Sequence, residues 1–407
     1  MLASAIFAAI SGARMKRPII VIFTTILIDM LGFGIIIPIL PVFSKELGAA
    51  NYEVGLIAMS FPIMNFLFAP FWGSLSDSYG RRPIILVSVM ITGMAYLLLS
   101  QSTYLWLLLL ARVLGGIGSA NLSVAQAYIA DITTSEERAK YMGLIGAAFG
   151  LGFIIGPTAG GYMKSISTPG SVDWVGYLAA GLSTINLVLA YFLLPESVKD
   201  KKQLVRFNFK VISGTITELK KPIIRELLLI SFVFIASFMM MQIAASLFWK
   251  EHIGLTEIQM GNMFAFNGIM TVIIQGVLVG RMVPRFGETK LLSIGSYLTI
   301  VALASIPWVT KETFMPYEFI AVALLALANG CIIPSVTSLL TKNSDPKDMG
   351  QVLGVNQSFG SVARACGMGV SGFMYGINFH LPFVAGALLM IIAFWLTRQL
   401  SHQSPRT

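Results

Sequence analysis

Long apolar runs separated by short polar breaks make up most of this sequence. A helix needs about 20 apolar residues to cross the hydrocarbon core of a bilayer, and the runs are of that length. The pattern therefore predicts an all-α integral membrane protein with twelve transmembrane helices. The predicted spans are 18–43, 53–76, 83–101, 104–130, 140–163, 174–195, 226–249, 258–281, 290–309, 316–341, 350–376 and 381–398.

Composition supports this class and excludes others. Of the 407 residues 56% are hydrophobic and only 12% are charged, whereas soluble domains carry roughly 25% charged residues. The net charge of +9 is spread over the polar breaks, so a nucleic-acid partner is not predicted. Cys331 and Cys366 lie in apolar runs, where packing is the default interpretation. The sequence shows no metal-ligand spacing, nucleophile-base pair or phosphate-binding loop, so neither an enzyme nor a cofactor is predicted.

The positions of the basic residues predict the topology. Of 28 Lys and Arg, 22 fall in breaks that share a side with the termini, and four fall on the other side. Positive residues favour the cytoplasmic side, so both termini are predicted to be cytoplasmic.

The longest polar stretch divides the chain into two six-helix bundles. The segment 209–224 within this stretch fits either a helix on the inner membrane face or a flexible linker. Residues 1–14 are either disordered or precede the true start of the protein. The predicted divisions are an N-terminal segment 1–17, a first bundle 18–195, a central loop 196–225, a second bundle 226–398 and a tail 399–407.

The two bundles repeat one another. The stretch GSLSDSYG at 73–80 is matched by GRMVPRFG at 280–287, an offset of 207. GPTAGG at 156–161 is matched by GMGVSG at 367–372, an offset of 211. Two matches in the same order at nearly one offset indicate parallel repeats around a site near the middle of the membrane.

Asp29 is the residue with the strongest chemical signal. It lies about halfway along the first span and is the only acidic residue predicted deep inside any span. A charge there costs about 2.5–3.5 kcal/mol, so burial favours the neutral form, which suits a proton carrier. The alternative is a neutral aspartic acid that only holds helices together through hydrogen bonds.

The break GSLSDSYGRR, 73–82, resembles the loop between the second and third helices of the major facilitator superfamily of secondary transporters. Asp29-x-x-Gly32-x-Gly34 resembles the first helix of its tetracycline and multidrug proton antiporters. Arg112 lies in RVLGGIGSAN, which resembles the Arg motif that the family uses in proton coupling. The stretch 152–161, GFIIGPTAGG, resembles the antiporter motif of the fifth helix.

The resemblance implies roles for these residues. Asp29 and Arg112 would couple transport to protons. A gating loop would hold the cytoplasmic side closed in the outward-facing state. In this loop Asp77 would cap a helix end and pair with a basic neighbour, and Arg81 would reach Asp131. The C-terminal counterpart has Pro284 in place of the carboxylate and would hold that side less strongly. The antiporter motif would pack helices near the interface of the bundles, with a kink at the proline. The gating residues are Gly73, Asp77, Gly80, Arg81, Arg82 and Asp131, and those of the antiporter motif are Gly152, Gly156, Pro157, Gly160 and Gly161.

Other polar residues inside spans are candidates for the wall of a substrate cavity or for contacts between helices. Arg364 fits two alternatives equally, binding of an anionic group or an internal pair with a carboxylate. The candidates are Asn65, Gln126, Gln242, Asn267 and Arg364.

The function that these features predict is export of drugs or other small amphipathic molecules by alternating access. The proton gradient would supply the energy, and the lipid bilayer, protons and a small substrate would be the partners of a monomer in the inner membrane. Two alternatives remain at this stage: an exporter of metabolites, sugars or lipids, and a membrane receptor that transports nothing.

Overall fold

The computed structural model describes residues 17–198, 221–345 and 349–403, and helices account for nearly all of them. The predicted surface helix at 209–224 and residues 1–14 lie outside the described residues. We number the long helical segments α1 to α12 in chain order. They are α1 (Arg17–Ile36 and Leu40–Glu46), α2 (Asn51–Tyr79), α3 (Arg81–Ser100), α4 (Leu105–Ile132), α5 (Ser135–Ile166), α6 (Asp173–Leu193), α7 (Pro222–Ile253), α8 (Glu257–Phe286), α9 (Glu288–Trp308), α10 (Phe314–Lys342), α11 (Met349–Ile377) and α12 (Leu381–Gln403).

These segments correspond one to one with the predicted spans, and eleven of them are long and apolar enough to cross a membrane. The remaining one is α11, which is 29 residues long but rich in Gly, Ser, Asn and Gln. It packs against α2 and α7, and its Ser361 and Ser371 are buried. A polar spanning helix is tolerated in that position because it faces other helices rather than lipid alone.

The helices extend beyond the predicted boundaries, most clearly at 73–82. We predicted a ten-residue turn there, but α2 continues to Tyr79 and α3 begins at Arg81, so Gly80 alone forms the break. Gly73 is therefore a helical residue and not a turn glycine. A polar sequence can remain helical outside the apolar core because its backbone groups still bond within the helix. Gly80 has φ of 110°, a conformation that favours glycine.

The first helix is interrupted at its prolines. The helix stops at Ile36 and resumes at Leu40, with Pro38 in the gap and Pro41 in the first turn of the second piece. Proline cannot donate the hydrogen bond that would continue the helix, which explains the interruption.

Helices α1–α6 form the N-terminal half and α7–α12 form the C-terminal half. We name each end of the bundle after a glycine in one of its turns. The Gly80 end also carries the turn at Gly287, and the Gly170 end carries the turns at Gly48 and Gly254. Close contacts between the halves join α5 to α8 and α2 to α11. The contacts between the halves that involve described glycines lie at mid-helix and toward the Gly170 end, from Gly150–Val272 to Asn51–Gly372.

Candidate functional site

Asp29 is buried in the N-terminal half. Its side chain is 5% exposed, and its Oδ2 accepts a hydrogen bond from Asn121 Nδ2 at 3.1 Å. Its Oδ1 is buried and has no partner in the described part of the chain. A buried polar oxygen without a hydrogen-bond partner is unfavourable, which makes Asp29 an unusual residue of this helix. Asn121 comes from a 3-10 turn that interrupts α4 and brings the amide to this depth.

Tyr96 and Arg112 complete this polar cluster. Tyr96 interacts electrostatically with both Asp29 and Arg112, and its hydroxyl lies against Gly32. The Arg112 guanidinium lies 4.5 Å from the centre of the Phe61 ring, and its Nε is buried without a partner among the described residues. The two predicted coupling residues are thus in one cluster, with Tyr96 between them. Sequence reasoning missed Tyr96, since an interior tyrosine on α3 has no distinguishing pattern.

The glycines of α5 let this helix approach two neighbours closely. A Cβ at Gly156 would lie 2.8 Å from the Gly34 Cα, and one at Gly152 would lie 2.6 Å from the Met30 Cβ. Gly160 meets Ile35 in the same way. A larger side chain at any of these positions would force α1 and α5 apart.

The opposite face of α5 contacts the other half of the protein. Gly161 packs on the Glu257 backbone of α8, and a Cβ at Gly261 would lie 2.4 Å from, and so collide with, the Pro157 carbonyl oxygen. The antiporter motif therefore lies at the interface of the halves, as predicted. Helix α5 continues through Pro157 from Ser135 to Ile166.

The residues around Gly80 tie the helices of the N-terminal half to each other. Arg81 forms ion pairs with Asp77, Nη1 to Oδ1 at 2.6 Å, and with Asp131, Nε to Oδ2 at 3.1 Å. Arg82 donates to the Tyr191 carbonyl at 2.6 Å. The predicted pair of Arg81 with Asp131 is therefore present, and it joins α3 to α4. Its role in gating stays a prediction.

The carboxylate that caps the start of α3 is Glu196. We predicted that Asp77 caps a helix end, and in the structure Asp77 instead pairs with its basic neighbour Arg81. Glu196 accepts from the backbone N–H of Arg81 at 2.9 Å and of Arg82 at 3.3 Å. A Cβ at Gly80 would collide with this carboxylate, which is a second reason for glycine there. A carboxylate suits this place because the first N–H groups of a helix lack partners within the helix. Sequence reasoning missed the contact because Glu196 is 115 residues from Arg81.

The amides predicted for the cavity wall have different surroundings. Asn65 donates to Ser119 at 3.4 Å and Asn267 donates to the Val322 carbonyl at 3.3 Å, so both form contacts between helices. Gln242 is 3% exposed, with its Oε1 unpartnered in the described residues, whereas Gln126 is exposed. Arg364 is half-buried on α11 and donates to Ser361 Oγ at 2.9 Å.

Glu318 is a second fully buried acid that the sequence did not reveal. Its Oε1 accepts from Trp249 Nε1 at 2.7 Å, while Oε2 is buried without a partner among the described residues. It lies only four residues from the start of α10, so by position it is a residue of a helix end. Trp249 of α7 lies against it, and the Phe264 ring of α8 packs on the Trp249 ring.

At the Gly170 end a groove of about 500 Å³ lies between the halves. It is lined by Glu46 and Lys164 of the N-terminal half, Glu257 of the C-terminal half and the turn 165–170. Lys164 pairs with Glu46 at 2.6 Å, and Lys250 pairs with Glu257 at 2.6 Å. Each half thus balances its own charges at this end.

The family model of the Major Facilitator Superfamily matches residues 22–311 and 227–407. The chain belongs to this superfamily of membrane transporters. Similar curated proteins include multidrug resistance protein 2 of Bacillus subtilis, which is 28% identical over 390 residues, with 94% of each chain covered. The class C tetracycline resistance protein of Escherichia coli is 28% identical over 393 residues, covering 93% of this chain and 96% of the relative.

Solved structures share the fold. The human organic anion transporter MFSD10 (TETRAN) has a TM-score of 0.70 at 24% identity, covering 94% of this chain and 99% of that one. A POT family transporter in complex with a thioalcohol-conjugated peptide has a TM-score of 0.77 at 13% identity, covering 95% and 96%. At these identities the likeness concerns the fold alone. The predicted superfamily and fold class are confirmed.

Proposed function

We propose that this chain is a proton-coupled antiporter that exports drugs or other small amphipathic molecules by alternating access. The observation that carries the proposal is the position of Asp29 relative to α5. Asp29 directly precedes Met30, which packs against Gly152, and α5 in turn packs against α8 of the other half. A change of proton occupancy at Asp29 would therefore act one residue from a contact between α1 and α5, and the opposite face of α5 contacts α8 of the other half.

Arg112 would balance the charge of this site without losing its own, because an arginine stays protonated. Release of the proton from Asp29 makes a carboxylate, and Arg112 and Tyr96 lie in the cluster that would stabilise it. The 28% identity to multidrug and tetracycline resistance proteins supports drugs or similar amphipathic molecules as substrates.

The described glycine contacts between the halves lie at mid-helix and toward the Gly170 end, which supports a state closed at that end. With the termini and the Gly80 end in the cytoplasm, it would be the inward-facing state of a monomer in the inner membrane. In the outward-facing state the Gly80 end would close instead, and the ion pairs of Arg81 would keep α2, α3 and α4 moving together.

The test is proton flux in proteoliposomes with an imposed pH gradient, across a panel of drugs. Wild type is compared with Asp29→Asn, and Asp345→Asn, an exposed carboxylate at the Gly80 end, is the matched control. We expect a transported drug to dissipate the gradient in wild type and in the control but not in Asp29→Asn. Equal responses in all three would show that Asp29 has only a structural role. No response to any drug would favour a metabolite, sugar or lipid substrate.

A further inference from the structure

Arg364 lies on the face of α11 that points between the two halves. Gln357, Ser361, Arg364 and Met368 are spaced as one face of a helix. On this face Gln357 is exposed, Ser361 is buried, Arg364 is half-buried, and Met368 is buried in the cluster that joins both halves. The opposite face, with Cys366 among its residues, is exposed on the outside of the bundle.

The neighbours of α11 define this direction further. Gly367 packs on Ala236 of α7, and a Cβ at Gly369 would lie 2.6 Å from the sulfur of Met59 in α2. By helical rotation Arg364 falls between these two contact lines. Its guanidinium therefore points to the space between α7 of one half and α2 of the other.

Within the part of the chain that the structure describes, Arg364 uses one of its five N–H donors. Nη2 donates to Ser361 Oγ, and no carboxylate of the described residues forms an ion pair with it. Of the two alternatives for Arg364, the internal pair with a carboxylate is thus not found there. An uncompensated cation inside a spanning helix is unfavourable and typically marks a binding site.

The other interior charges do not offset it. Asp29 is 5% exposed and lies in the cluster of the N-terminal half, where Asn121 donates to it. Glu318 is bonded to Trp249 four residues from one end of α10, whereas Arg364 is 13 residues from the same end of α11. At 1.5 Å per residue the two differ in depth by about 13 Å. Glu226 is buried four residues from the Gly80 end of α7, whereas Arg364 is 15 residues from that end of α11. Of these charged side chains only Arg364 is partly exposed, so the accessible interior charge among the described residues is positive.

We infer that Arg364 forms a subsite for an anionic group, a carboxylate or sulfonate, on an otherwise amphipathic ligand. The free N–H groups of a guanidinium match two oxygens of such a group. The inference deepens the proposed function, on which it rests, by naming the charge of the substrate.

The test is calorimetric binding to purified protein in detergent, without any gradient, so that a failure of transport does not affect it. The probes are naphthalene-2-sulfonate, the neutral naphthalene-2-sulfonamide and 2-naphthylmethylammonium, which share one ring system. We expect wild type to bind the sulfonate about tenfold or more tightly than the sulfonamide. A charge-assisted hydrogen bond contributes enough binding free energy for such a difference.

Arg364→Gln is expected to abolish this preference, and Arg364→Lys, which keeps the charge but loses the planar fork, to retain part of it. Arg285→Gln, which removes an exposed charge at the Gly80 end, is the matched control and should behave as wild type. An unchanged preference in Arg364→Gln overturns the inference. If Arg364→Gln does not fold, the wild-type measurement still tests the inference. Equal binding of the three probes by wild type, or a preference for the ammonium, also overturns the inference.

Discussion

In the N-terminal half, Arg81 at the start of α3 pairs with Asp131 at the end of α4. In the C-terminal half, Glu288 at the start of α9 pairs with Lys342 at the end of α10. The positions correspond through the repeat offsets of 207 and 211, and the signs are exchanged. Pro284 does replace the carboxylate of the loop motif, as the sequence shows, yet an ion pair between equivalent helix ends is kept.

The Gly170 end shows the same correspondence. Glu46 at the end of α1 accepts from Lys164 of α5, and Glu251 at the end of α7 accepts from the Tyr375 hydroxyl of α11 at 3.0 Å. Both halves thus join the same helix ends with different side chains. An attraction between two ends depends on complementary partners and not on which helix carries which sign.

The centres of the halves differ much more. The N-terminal half holds Asp29, Tyr96 and Arg112 in one cluster, whereas the C-terminal half holds Arg364 without a charged partner among the described residues. Helix ends have to be joined in both halves for the fold to persist, but the centres are free to specialise. We interpret the first centre as the coupling site and the second as the ligand site.

The largest expected effect comes from the glycines that pack α5 on α1 and α11 on α7. Gly156→Val and its counterpart Gly367→Val should each lower stability by about 1–3 kcal/mol or more, because a Cβ collides with the neighbouring backbone. Thermal unfolding in detergent measures this. Gly146→Val in α5 is the control, since no atom lies within 4 Å of its added Cβ. A Gly156 variant as stable as the control would contradict the close packing.

A smaller effect is expected at Glu318, which has no equivalent in the first half. Glu318→Leu should destabilise the protein by about 1–3 kcal/mol, because it leaves the Trp249 indole N–H buried without an acceptor. Glu318→Gln keeps an acceptor and is the matched control. Tryptophan fluorescence and thermal unfolding report the two variants, and equal stability of both would show that this hydrogen bond contributes nothing measurable.

The smallest effect concerns the two ion pairs of opposite polarity. Arg81 and Asp131 are 11% and 29% exposed, whereas Lys342 and Glu288 are 60% and 14% exposed. Double-mutant cycles should give the C-terminal pair a coupling of about 0.2–1 kcal/mol, typical of exposed pairs, and the N-terminal pair a larger one.

The same pairs can be exchanged to test their equivalence. Arg81→Glu with Asp131→Lys gives the first half the polarity of the second, and it should recover much of the stability that either single change loses. A double variant no more stable than the single ones would mean that the surroundings, rather than the pair, fix the sign. Glu196 is one such constraint, because it lies beside the start of α3.

The sequence by itself determined the number of helices, their repeat, the buried position of Asp29 and the partnership of Arg81 with Asp131. These depend on apolar run lengths and on motifs that lie within single helices or their ends. The sequence also indicated that the GPTAGG helix would pack closely, because small residues at regular spacing create a smooth face.

Only the tertiary structure decided which polar side chains are buried and which remain accessible. Glu318 lies near a helix end in the sequence, but Trp249 from another helix buries it. Arg364 lies about as far from the ends of its helix as Asp29 does. Most of its N–H donors nevertheless find no acceptor among the described residues. The apolar pattern describes one helix at a time, whereas solvation of a side chain depends on what the neighbouring helices place against it.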